Sequence, residues 1–238
     1  MGELIWELVP VVLGVVASPL AIMALVAVLL SRRARANGLT YLIGWAAAVI
    51  LSLSIAYGVF GLLELGARHD PPMWVPIARL LLAAVLFSGA IWTYRRSRAQ
   101  LRQMAAAATP EEVSAAAPQL PGWLQTVQDF SPLRSFALGL GIFVLNPVNM
   151  SCAIVAALDI RLASVGQGPS LGVLIGFAVV GILPMAIPVV LTYVRGERAE
   201  PTLAALRGWI AAHNGTLSVV LLVVVGFMQI QKAIPVLL

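Results

Sequence analysis

FVLNPVNMSCA, residues 143–153, interrupts a long apolar run with Asn146, Pro147, Asn149 and Ser151. A related stretch, GVVASPLAIMA at 14–24, carries Ser18 and Pro19. Proline removes a helix hydrogen-bond donor and collides with the carbonyl one turn back. In hydrocarbon the freed carbonyl needs another partner, so such a break survives only inside protein or beside a wet cavity. Both stretches therefore read as broken membrane helices, with Ser18, Pro19, Asn146, Pro147, Asn149 and Ser151 as candidate substrate contacts.

The surrounding composition supports a bilayer environment. Hydrophobic residues form 61% of the 238-residue chain, charged residues 11%, and mean hydropathy is +0.97. Soluble domains carry about 25% charged residues. Six runs are long enough to cross, near 8–30, 39–63, 75–94, 135–159, 170–194 and 215–234; each crossing needs about 20 apolar residues. MGELIWELVP has Glu3 and Glu7 and no basic residue, unlike a secretory n-region, so the first run reads as a permanent span.

Basic residues set the expected orientation. Eleven arginines fall in the connections on one side of this arrangement, against Arg68, Arg161 and Lys232 on the other. The expectation is a plasma-membrane protein with both termini outside and loop 95–134 cytoplasmic. That loop carries two helical patterns. TPEEV offers Thr109 as N-cap and Pro110 at the first helical position. PGWLQTVQDF places Trp123, Leu124, Val127 and Phe130 at helical spacing, suited to the membrane surface or to packing on the loop.

The two halves resemble each other. Gly14, Ser18-Pro19 and Gly44 correspond to Gly141, Asn146-Pro147 and Gly176, and YLIGWA answers VLIGFA. Three spans per half is an odd number, so tandem halves face opposite ways, the inverted-repeat plan of many secondary transporters. The expected fold is all-α, six transmembrane helices as a 3+3 inverted repeat with helices 1 and 4 broken at proline. The expected divisions are residues 1–94, the loop 95–134, and residues 135–238.

Arg79 is a charge within the third span, a functional candidate by position. It pairs with Glu64 or Asp159, attracts an anionic head group, or snorkels to the interface beside Trp74. Asp159 and Arg161 themselves read as a surface pair at that rim, and Gln229 and Gln231 as interfacial. Ser52, Ser54 and Tyr57 make a polar stripe. The Gly172 and Gly176 pair invites close helix approach inside the bundle, and Pro184 and Pro188 a bend. Cys152 reads as a small core residue. His69 and His213 lie in separate connections, so no metal site is expected. A phosphate-binding glycine loop is missing from the sequence, and the high isoelectric point fits anionic lipid and not nucleic acid. Neither a cofactor nor an enzymatic constellation is expected.

The runs ASPLAIMALVAVLLSRRARANGLTYLIGWA, FALGLGIFVLNPVN and GWIAAHNGTLSVVLLVVVGFMQIQKAI resemble the actinobacterial peptidoglycolipid-addressing (GAP) family, also called sulfolipid-addressing (Sap) proteins. The resemblance implies membership of the lysine-exporter (LysE) superfamily of six-span transporters and a role in moving or delivering cell-envelope glycolipids. The family pattern often reads Asn-Pro-Lys-Asn. Here Val148 stands at the lysine's place, leaving Arg79 or Arg134 to supply any positive charge. The expected partners are a membrane lipid or glycolipid, a lipid-export complex, and a second copy of the chain. Two alternative functions stay open at this level: export of amino acids or small ions, and a scaffold subunit docking through loop 95–134.

Overall fold

The computed structural model describes residues 2–63, 72–106 and 130–237. Among these, every regular element is helical: α1 (Gly2–Val16), α2 (Pro19–Leu29), α3 (Ala34–Leu62), α4 (Trp74–Ala106), α5 (Pro132–Leu145), α6 (Pro147–Leu162), α7 (Gln167–Arg195), a short 3-10 turn (Gly196–Ala199) and α8 (Glu200–Leu237). Glu64 and the segment bearing Thr109, Pro110, Trp123, Leu124 and Val127 lie outside the described residues. The expected division after residue 94 falls inside α4, which runs on to Ala106.

Among the described residues, four helices are long and apolar enough to cross a membrane, and up to six spans result if each bent pair counts as one. Helix α1 has 15 residues, roughly 22 Å of rise, against a hydrocarbon core of about 30 Å. It continues through the break into α2, bent by 45°, as α5 continues into α6, bent by 69°. The apolar faces support the same environment. Leu51, Ile55, Leu81, Val85, Ile175 and Ile187 all point outward, a surface that only lipid or another membrane helix can cover at low cost. The chain is a multi-pass membrane protein.

Local chemistry explains both breaks. A residue before proline avoids the helical region, and Ser18 sits at φ −89°, ψ 89° and Asn146 at φ −83°, ψ 112°. Asn146 also caps α6, its Oδ1 accepting from the Val148 amide at 2.9 Å. Its own amide donates to the Phe143 carbonyl at 3.3 Å, the group that Pro147 cannot serve.

Helix α3 is the hub, packing on α5, α6 and α7, while α4 runs along α8, and α1 contacts α6 and α7. The α3–α5 seam is the tightest. A Cβ on Gly44 would strike the Phe136 carbonyl, and one on Gly139 the Tyr41 carbonyl. Above it, Trp45 meets Phe143 edge-on, with centroids 5.1 Å apart. Both polar handles are satisfied: Trp45 Nε1 donates to the Gly181 carbonyl at 3.0 Å, and Tyr41 Oη to the Ala21 carbonyl at 2.9 Å. Buried aromatics of this kind need such partners.

Candidate functional site

The two helix breaks meet. Asn149, fully buried, donates from Nδ2 to Ser18 Oγ at 3.3 Å, and Asn146 Nδ2 approaches the same oxygen at 3.5 Å. Ser18 does not cap its own helix; its hydroxyl instead serves the other broken pair. Asn149 Oδ1 is a buried acceptor with no protein partner. Pro19 and Ser151 are buried, whereas Pro147 is exposed; no hydrogen bond among the described residues ties Ser151 to Ser18, Asn146 or Asn149. Helices α2 and α6 both begin here. Their N-termini carry partial positive charge, so the junction favours a negative or strongly accepting group. Gly14 lets α1 approach α6: a Cβ there would stand 2.5 Å from Cys152 Sγ.

A second polar group lies at the end of the bundle formed by the α1 N-terminus and the α8 C-terminus. Arg79 Nη2 contacts Asp159 Oδ1 at 2.6 Å, and Arg79 Nη1 donates to Gln229 Oε1 at 3.0 Å. Lys232 Nζ bridges Asp159 Oδ2 at 2.6 Å and Glu7 Oε2 at 2.9 Å. The Asp159 side chain is 2% exposed and that of Arg79 6%, so each charge is matched inside the bundle as burial requires. Four helices are tied together by these contacts. They border a cleft of about 380 Å³ lined by Glu3, Glu7, Arg79, Asp159, Val165 and Lys232.

This geometry corrects several sequence expectations. Asp159 and Arg161 are not a surface pair. Asp159 faces inward, while the Arg161 guanidinium lies 4.1 Å from the Tyr57 ring centroid and donates to its hydroxyl at 3.2 Å. Consecutive helical positions two apart point to different faces, which separates them. Gln229 is fully buried and not interfacial. Arg134 is exposed at the start of α5, and neither it nor Arg79 reaches the junction of the breaks in any hydrogen bond or ion pair among the described residues.

Glu7, Gln229 and Lys232 carry roles that the linear sequence does not single out. One signal was available: Gln229 and Lys232 stand three apart on one helix, where side chains are neighbours. Asn37 was likewise concealed in the basic connection. It is fully buried in the first turn of α3 and donates to the Phe130 carbonyl at 2.9 Å. No group of metal-ligating side chains occurs among the described residues.

No curated protein and no solved structure gives a significant match to the chain. The family model described as Sap, sulfolipid-1-addressing protein, matches residues 8–235, which take in both helix breaks and the whole charged cluster except Glu7. With that match spanning nearly the full length, the chain belongs to the Sap, or sulfolipid-1-addressing protein, family.

Proposed function

We propose that this Sap-family membrane protein moves a cell-envelope lipid, and that the lipid's polar head group crosses the bundle at the junction of the two helix breaks. The observation that carries the reading is the bond from Asn149 to Ser18, which joins two proline-broken helices at their unsatisfied ends. A polar centre of this kind is what a head group needs in place of water. The converging N-termini of α2 and α6 suit a head group of anionic character. The acyl chains stay in the bilayer, against the apolar outer faces.

The proposed architecture is a 3+3 inverted repeat. The helix pairing supports it: α1 packs on α6, α4 on α8, and the α3–α5 contact has its counterpart in α1–α7. Under this reading the end bearing Arg32, Arg33, Arg35, Arg195 and Arg198 faces the cytoplasm, and the Arg79–Asp159–Lys232 cluster faces outward, closing that side. The protein acts without covalent chemistry, as a carrier and not an enzyme.

Reconstitution tests the reading. The full chain in liposomes is assayed for transbilayer movement of a fluorescent-headed anionic lipid. The expected result is protein-dependent movement that falls at least about tenfold, or roughly 1.4 kcal/mol in barrier, in the Asn146→Ala/Asn149→Ala variant. Movement at the protein-free rate, or an unchanged rate in the variant, refutes it.

A further inference from the structure

We infer that the groove between α1 and α7 is a binding slot for one acyl chain of a zwitterionic phospholipid, whose head group lies in the Glu3–Glu7–Lys232 cleft. This inference does not depend on transport, since it concerns a lipid held at the flank of the bundle.

The groove holds about 600 Å³ and is lined by Ile5, Leu8, Val9 and Val12 of α1 and by Pro169 to Val180 of α7. That volume lies within the ordinary range for small-molecule sites. Along α7 the lining spans about 16 Å of helical rise, close to half of a hydrocarbon core of about 30 Å. One leaflet, and so one extended acyl chain, fits that length.

The groove is open for a specific reason. A Cβ on Gly172 or Gly176 would meet nothing within 4 Å. The α3–α5 seam, where Gly44 and Gly139 bring two backbones into contact, shows what glycines do in this bundle when helices close on them. At α1–α7 the glycines leave a channel instead, and the expected close helix approach at Gly172 and Gly176 does not occur.

Charge distribution identifies the occupant. The groove wall is apolar, and the α1 turns that line it with Ile5 and Leu8 also line the cleft with Glu3, Leu4 and Glu7. An ammonium has three donors; Lys232 gives one each to Glu7 and Asp159, which leaves one for a phosphate oxygen. Glu3 is exposed and enters no ion pair among the described residues, and Glu7 is half exposed at 52%. Both carboxylates suit an ammonium. A phosphate and an ammonium on one short head group therefore complement a cleft lined by one lysine and two glutamates, and an anionic head group without the ammonium faces the carboxylates unmatched. An apolar helix from a second copy would cover the groove and leave the charged end without a counterpart.

The test uses the full chain in nanodiscs carrying phosphatidylethanolamine with a mid-chain diazirine, or phosphatidylglycerol with the identical chain, and maps photolabel by peptide mass spectrometry. Phosphatidylethanolamine label is expected on residues 5–12 and 169–180, about tenfold above Leu81 and Val85 on the outer face of α4, and about tenfold above phosphatidylglycerol at the same positions. Gly172→Leu with Gly176→Leu should remove the enrichment with no loss of thermal stability, because both side chains enter open space. Glu3→Gln with Glu7→Gln should keep the groove label and abolish the preference between head groups. Equal labelling of α4 and the groove, or no head-group preference in the wild type, overturns the proposal. So does conversion of a dimer to monomer by the leucine pair, which would make the groove a seam between copies.

Discussion

Asp159 is held between Arg79 and Lys232, each at 2.6 Å and on opposite carboxylate oxygens. One carboxylate thus joins α4, α6 and α8, and Lys232 extends the network to Glu7 on α1. Removing the central anion leaves the buried Arg79 without its carboxylate and Lys232 with Glu7 alone, which costs more than the loss of a surface pair.

Asp159→Asn is therefore expected to destabilise the protein by about 3–5 kcal/mol. Thermal unfolding of the purified protein in detergent would show a clear fall in Tm. Asp159→Asn combined with Arg79→Met should recover part of the loss by removing one stranded charge. A single variant with wild-type Tm would mean that the cluster is hydrated and contributes little.

Gly44 and Gly176 occupy matching positions in the two halves yet have opposite surroundings. Gly44→Leu drives a side chain into the Phe136 carbonyl and should cost about 3 kcal/mol or more, the upper end for overpacking. Gly176→Leu meets open space and should stay within about 0.5 kcal/mol of the wild type. Comparing the two Tm values checks the asymmetry of the seams; equal losses would contradict it.

Ser18 accepts from the other broken helix and not from its own. Ser18→Ala should lower stability by only about 1 kcal/mol while reducing head-group movement in liposomes by more than the stability change explains. Ser18→Thr, which retains the hydroxyl, should restore movement. A parallel loss of stability and movement in both variants would assign Ser18 a packing role alone.

Cys152 is the sole cysteine, fully buried, with Gly14 against it. A membrane-permeant maleimide should leave it unmodified in the folded protein and label it fully after denaturation in SDS. Rapid labelling of the native protein would show that the α1–α6 crossing opens to water.

The membrane class was legible from composition, because no soluble fold of this size can bury so large an apolar fraction. The positions of the long apolar helices followed from the lengths of the apolar runs, and the helix breaks from Pro19 and Pro147, since a missing amide acts on the backbone wherever the chain lies. Val148, at the place of a family lysine, shows the reach of such local reading: it reveals that a charge is absent but not what replaces it. Partnership was decided in three dimensions. Nothing in the linear order says that Asn149 reaches Ser18, that Asp159 turns inward while Arg161 lies on Tyr57, or that Gly44 is sealed and Gly176 open. Proline, glycine and hydropathy act through the local chain and the solvent, so sequence carries them directly. Ion pairs, buried amides and grooves depend on which helix faces come together, and that is determined only when the whole bundle packs.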